Sequence, residues 1–363
     1  MPPVKKIDSS VVSIAAVDVF CGVGGLSHGL IKAGVKVVAG IDIDEKCRFA
    51  FERNNQATFI HKGVHEITAD EILALYPKQS CRILVGCAPC QPFSKHTQKE
   101  RNRQSKEDWG LLYHFLRLIK ETKPIVVSME NVPDIMKQKV FSDFVSELSI
   151  AGYNVDWSSV FCPDYGIPQS RTRLVLLASQ LGKINLVPPT SKPNEYKTVR
   201  MAIGRLEAID AGEASTKDRL HRAAALTDIN LRRIRESKPG GTWRDWDRNL
   251  RVPCHRRSSG RTYPSVYSRM EWDKPSPTIT TQFYNYGTGR FGHPEQHRAI
   301  SVREAALLQT FPKGYKFVEP ESVFRFKELG AHIGNAVPVR LAKIIGMSII
   351  KHIESRNGRS DGA

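Results

Sequence analysis

Short apolar runs rich in β-branched residues alternate with amphipathic stretches through the first half of the chain. Segments 15–20, 35–41, 82–85, 125–129 and 174–177 are each long enough for one buried strand and are bounded by turn residues. Between them, 25–33, 111–121 and 141–150 carry apolar positions at helical spacing. Alternating strands and helices predict an α/β fold built on a doubly wound, mainly parallel sheet. In such a sheet ligands bind beyond the carboxyl ends of the strands, where the strand order reverses. After residue 180 the rhythm stops. Segment 181–297 is rich in Pro, Gly, Arg and aromatic residues and reads as a smaller domain of loops and short strands. A helical pattern returns at 301–309, ahead of Pro312, and an apolar helix follows at 338–353. The expected division is therefore 1–180 plus 298–363 as one domain and 181–297 as another, within the usual size range for 363 residues.

Composition narrows the class. No run is expected to reach the roughly 20 apolar residues of a membrane span. The first residues, Met1-Pro2-Pro3-Val4-Lys5-Lys6, carry no apolar signal region, so a reducing cytoplasmic setting and no membrane association are expected. Seven cysteines at irregular spacing argue against a disulfide framework, and a lone Cys87-x-x-Cys90 pair without a partner pair argues against structural zinc. The net charge of +17 points to a polyanionic partner. Charge concentrates in 232–261, where ten basic residues face three acidic ones, interleaved with Trp243 and Trp246 and followed by Tyr263. Phosphate contact explains that excess better than a solvated face does.

Candidate chemistry sits at the strand exits. Gly22-Val23-Gly24-Gly25 follows one strand and opens a helix, exposing backbone N–H groups to a ligand. Asp42 ends the next strand, where a carboxylate can accept from both ribose hydroxyls. These two features alone fit either an adenosine-containing cofactor or a structural turn. Gly86-Cys87-Ala88-Pro89-Cys90-Gln91-Pro92-Phe93-Ser94 directly follows a strand, and its prolines forbid continuing the sheet through Cys90. An exposed cysteine there can become a nucleophile if a cation or helix N-terminus favours its thiolate. Cys87, three residues upstream, is expected only to pack against the cofactor or the sheet. Glu130 ends an apolar strand, where a carboxylate needs a partner or a purpose. Arg171 and Arg173, within Gln169-Ser170-Arg171-Thr172-Arg173, add donors before another strand.

Together with Asp18-Val19-Phe20-Cys21-Gly22-Val23-Gly24-Gly25 and Gly334-Asn335-Ala336-Val337-Pro338, these motifs resemble the ordered set of the DNA (cytosine-5)-methyltransferase family. Segment 298–312 resembles the helix that precedes the last motif. The resemblance runs from about residue 15 to 350. It implies a class I S-adenosylmethionine-dependent methyltransferase fold, with 181–297 as target-recognition domain and the remainder as catalytic and cofactor-binding domain. It implies contacts to S-adenosylmethionine from Phe20, Cys21, Gly22, Val23, Gly25, Asp42, Ile43, Glu66, Ile67, Pro89, Leu112, Asn335 and Ala336. Glu66 stands where relatives carry Asp, and Asp42 where many carry Glu. The catalytic set by resemblance is Cys90, Glu130, Arg171 and Arg173. DNA contacts are expected from Ser94, Lys95, Arg256, Arg257 and Thr278, and Thr278 lies in a stretch similar to the family's recognition element.

The implied chemistry accounts for these residue types. Cytosine C5 is electron-poor, and adding a thiolate at C6 turns it into a nucleophile. Glu130 would serve N3 and the exocyclic amine, while Arg173 and Arg171 would hold the base near O2. C6 is out of reach in a stacked duplex, so the base must be flipped out. The expected partners are double-stranded DNA and, in a restriction–modification setting, a separately encoded endonuclease, with the enzyme acting as a monomer. An RNA cytosine methyltransferase would carry a Cys-Phe-Thr motif that is absent. A non-catalytic DNA binder would need none of Cys90, Glu130 and Asn335. A thiol–disulfide oxidoreductase using Cys87 and Cys90 would leave the basic segment unexplained.

Overall fold

The computed structural model describes residues 13–89, 110–257, 260 and 263–357. They fall into two compact units. The first comprises residues up to Phe161, Thr172–Pro189 and Val337 onward, and the second comprises Cys162–Arg171 and Thr190–Ala336.

In the first unit the chain runs β1 (Ser13–Val19), α1 (Gly25–Ala33), β2 (Lys36–Asp42), α2 (Arg48–Asn55), β3 (Thr58–His61), α3 (Ala69–Leu75) and β4 (Ser80–Gly86). It continues with α4 (Gly110–Thr122), β5 (Val126–Asn131), α5 (Lys139–Ile150) and β6 (Asn154–Phe161). A short β7 (Gln169–Ser170) belongs to the second unit, and β8 (Thr172–Ser179) returns to the first. The seven strands lie in the order β3-β2-β1-β4-β5-β8-β6, and β8 runs antiparallel to both its neighbours. The central strands are apolar because helices cover both faces: Ala15, Ala16, Val17 and Val19 of β1 are wholly buried.

The register aligns the strand exits. Val19 pairs with Ile41 and with Gly86, and Gly86 pairs with Met129. Phe20, Asp42, Cys87 and Glu130 therefore each lie one residue beyond a single line across β1, β2, β4 and β5. The strand order reverses between β1 and β4, so this line borders the crevice such sheets use for ligands.

The C-terminal helix α10 (Val339–Asn357) closes the unit against α1 through small residues. A Cβ placed on Gly29 would stand 2.3 Å from the Ala342 Cβ, and one on Gly346 would stand 2.6 Å from the Ala33 Cβ. By length and hydropathy the stretch Phe326–Arg356 could cross a membrane, contrary to the expectation that no run is apolar enough. Two thirds of its apolar window, 67%, is buried inside the protein, which is the position of a core helix.

The second unit contains α6 (Val199–Ile203), α7 (Asp228–Glu236), β9 (Ser276–Pro277), α8 (Val302–Leu308) and α9 (Phe326–Asn335), and β9 pairs in parallel with β7. Loops and short strands were expected here; among the described residues loops carry most of the segment, with short α- and 3-10 helices in place of most of the strands. The unit also extends beyond 181–297, taking in 162–171 and 298–336. Buried polar ties explain the difference. Arg298 is fully buried, pairs with Glu304 of α8 at 2.7 Å and donates to the Ile209 carbonyl. Arg303 reaches Asp218, and Gln169 donates to Gln309 at 2.8 Å.

Trp243 and Trp246 also depart from expectation. Both are 2% exposed and form an apolar cluster with Ile234, Leu250 and Tyr286. Their indole N–H groups are committed to the Tyr263 carbonyl and the Ser237 hydroxyl. They form the core of this unit, and the exposed Arg244, Arg248, Arg256 and Arg257 stand around them.

Candidate active site

The turn after β1 is shaped by its backbone. Phe20, Gly22 and Gly24 all have positive φ, at 64°, 49° and 85°. Glycine adopts this region without penalty, whereas Phe20 is held there by its N–H bond to the Ile41 carbonyl at 2.8 Å. The Phe20 ring meets Phe115 of α4 edge-on at 6.4 Å. The Asp42 carboxylate ties two loops together, accepting from the Gly22 N–H at 2.8 Å and the Asp44 N–H at 2.9 Å. Beside it Ile43 is 68% exposed, an apolar side chain available to a planar ligand group.

Other expected cofactor residues are less available. Cys21, Val23, Ile67 and Leu112 are buried, and Ile67 and Leu112 belong to the sheet's core cluster. Burial also pushes the Cys21 thiol well above its ordinary range. Glu66 accepts from the Gly63 N–H at 2.6 Å. Gly25 opens α1, and Pro89 is exposed. Asn335 and Ala336 end α9 in the second unit, with Asn335 exposed and the Ala336 carbonyl accepting from Gln309.

Beneath the turn lies a group to which the sequence pattern assigned no role. Asp18 is fully buried, and burial raises its carboxyl to about 7. The Ser27 hydroxyl, 2.6 Å away, opposes that rise and the charge of Asp42 adds to it.

At the exits of β4 and β5 the structure assembles a polar cluster. Glu130 is 3% exposed. The Arg173 Nε of β8 lies 3.0 Å from its Oε1, and the Cys87 thiol donates to its Oε2 at 2.9 Å. Arg173 also donates to its neighbour's carbonyl, that of Thr172. Asn131 reaches from β5 to the Ala88 carbonyl at 3.2 Å, which ties β5 to the residues that follow β4. Cys90 itself, with Ser94 and Lys95, lies outside the described residues.

Two expected contacts are turned elsewhere. The buried Arg171 directs its guanidinium to the carbonyls of Ile279, at 3.1 Å, and Gly334, at 3.4 Å, within the second unit. The Thr278 hydroxyl donates to the Ser170 carbonyl at 3.0 Å. These side chains are turned to backbone carbonyls of the second unit. Cys87, expected only to pack, is corrected by its bond to Glu130. The sequence places each at the end of an apolar run, and the register that pairs Gly86 with Met129 brings them together.

A mixed sheet in this order, with one reversed strand next to its edge, defines a class I methyltransferase fold. The chain belongs to the C-5 cytosine-specific DNA methylase family, whose pattern spans residues 14–351, and it is a DNA (cytosine-5-)-methyltransferase. It is 53% identical over 348 residues to the Type II methylase M.HgiDII of Herpetosiphon aurantiacus, covering 95% of this chain and 97% of that protein. It is 28% identical over 344 residues to the Type II methyltransferase M1.HphI of Haemophilus parahaemolyticus, covering 94% and 87%. Among solved structures, a DNA modification methyltransferase encoded within an Escherichia coli prophage superposes with a TM-score of 0.71 at 23% identity, over 94% of this chain and 100% of that one. The Dnmt2 methyltransferase of S. pombe gives 0.63 at 17% identity, over 95% and 99%. Both show the shared fold.

Proposed function

We propose that this enzyme transfers a methyl group from S-adenosylmethionine to C5 of a flipped-out cytosine in a specific double-stranded DNA sequence, with Cys90 adding to C6 and Glu130 assisting at N3. One observation carries the reading: a nearly buried carboxyl at the exit of β5, flanked by a guanidinium and a thiol, on the loop side from which Cys90 follows.

The residues present suit the cofactor. The Asp42 carboxylate stands at the end of β2 beside the glycine turn, whose glycines carry no side chains to obstruct a ligand, and Ile43 offers apolar surface. When bound, S-adenosylmethionine supplies an electrophilic methyl group to C5. The chain's own groups do the rest. The Cys90 thiolate forms a bond to C6 as the C5–C6 double bond opens, which places an electron pair at C5. Glu130 gives a proton to N3 as charge develops there and accepts from the exocyclic amine. Arg173 holds Glu130 and stands ready for the base oxygen, whereas Arg171 acts as a positioning residue for the 279 and 334 segments. After methylation, water takes the C5 proton, its electron pair re-forms the C5–C6 double bond and expels the Cys90 thiolate, and N3 returns its proton to Glu130.

The basic segment within 181–297 serves as the DNA-recognition region, with exposed Arg256 and Arg257 on phosphates and the segment around Thr278 near the base edges. Ser94 and Lys95 contact the DNA. Acting as a monomer in the bacterial cytoplasm, the enzyme protects sites from a separately encoded endonuclease, a reading supported by the Type II designation in the names of its relatives. Glu130→Gln tests the core of this reading. It should retain cofactor affinity and lose about 10²-fold or more in methyl transfer, the scale of a positioned proton donor. Near-normal turnover would remove Glu130 from the mechanism.

A further inference from the structure

We infer that Cys87 is a positioning residue for Glu130: its thiol hydrogen bond sets the carboxyl that receives the base, an inference that rests on the role proposed for Glu130. The placement is structural. Gly86 pairs with Met129, so Cys87 and Glu130 leave adjacent parallel strands side by side, one residue past the ladder. Cys87 is anchored by its N–H to the Val19 carbonyl at 3.4 Å, and its Sγ stands 2.9 Å from Oε2. Arg173 occupies the opposite oxygen, Oε1, at 3.0 Å. A carboxyl gripped at one oxygen only can still rotate about its terminal bond, because that torsion is broad and roughly two-fold. The Cys87 donor on Oε2 and the Arg173 ion pair at Oε1 together remove that freedom.

The chemistry requires it. Glu130 must meet N3 with one oxygen and the exocyclic amine with the other, and proton transfer depends on holding those oxygens in place. The thiol is suited to this task. It is a weak donor, so it can share Oε2 with the exocyclic amine of an arriving base, where a lysine or arginine would compete. Cys87 thus holds the carboxyl in the base-free enzyme and through the transfer step. No covalent step involves it.

The test is a double-mutant cycle read in single turnover, with S-adenosylmethionine and a duplex carrying the cognate site. Cys87→Ala should lower the methyl-transfer rate about tenfold, the scale of one hydrogen bond, with the Kd of both substrates unchanged. Cys87→Ser, which keeps a donor, should recover most of the rate. On a Glu130→Gln background, Cys87→Ala should have no further effect, because its partner is gone. In the infrared, the S–H band isolated as wild type minus Cys87→Ser should lie at low frequency and move up in Glu130→Gln. Equal losses from Cys87→Ala on both backgrounds, or an S–H band unmoved by Glu130→Gln, would overturn the inference. A Glu130→Gln enzyme of normal rate would instead overturn the role of Glu130 itself.

Discussion

The side chains that matter most here lie at the carboxyl ends of strands, in their last residues or just after them. That is why Asp42, Glu130 and the glycine turn were legible from sequence: a carboxylate or Gly-rich turn closing an apolar run is an anomaly visible without structure. Arg171 and Thr278 were misjudged because a motif gives residue type and spacing but not which carbonyl a donor finds. Asp18 escaped for a different reason, since its motif position suggested no chemistry of its own. Its Oδ1 is buried with no hydrogen-bond partner among the described residues, and its carboxyl rises from 3.8 to about 7. A group raised in the folded state adds stability that is complete below pH 3.8 and lost as pH climbs through 7, on the order of 4 kcal/mol. Asp18→Asn cannot ionise and should escape that loss. Thermal melts of the cofactor-free proteins should show the variant gaining on wild type from pH 5 to pH 8. Parallel curves would mean that Asp18 ionises as freely in the folded protein as in the unfolded one.

Among elements, the central strands announced themselves and the edges did not. β1, β2, β4, β5 and β8 are covered on both faces and so read as apolar runs. β3 and β6 are the edge strands, and the exposed Asn154, Ser158 and Ser159 interrupt any apolar pattern in β6. Helix α7 was hidden in the same way, because its Asp, Asn and Arg residues leave only Ile234 fully buried. The α1–α10 seam gives a direct test of packing. Gly29→Ala would force a Cβ to 2.3 Å from the Ala342 Cβ and 2.4 Å from the Val339 carbonyl oxygen. Overpacking of this kind costs about 1–3 kcal/mol, so a clear drop in Tm is expected with the far-UV spectrum retained. An unchanged Tm would mean the helices part without cost.

For the molecule as a whole, charge was the most readable property and aromatic content the most misleading. The +17 net charge and its concentration in 232–261 pointed to a polyanion-binding region. Its tryptophans suggested contact with nucleic acid but are the buried frame of the second unit. Exposed arginines standing on that frame should act on phosphates and not on sequence. Arg244→Ala, Arg256→Ala and Arg257→Ala should each weaken binding to cognate and unrelated duplexes alike. Each should also reduce the slope of log K against log salt by about one for every phosphate the arginine neutralised. A slope unchanged across all three would assign the charge to solvation.

Covalent attack by Cys90 is tested most directly with DNA carrying 5-fluorocytosine at the cognate site. Fluorine at C5 cannot leave as a cation, so elimination stalls after methyl transfer and the protein remains joined to the DNA through denaturation. The complex should form only with S-adenosylmethionine present, vanish in Cys90→Ser because an alkoxide is far harder to generate near neutral pH, and persist in Cys87→Ser. A complex that survives Cys90→Ser but not Cys87→Ser, or an active enzyme that traps nothing, would contradict it.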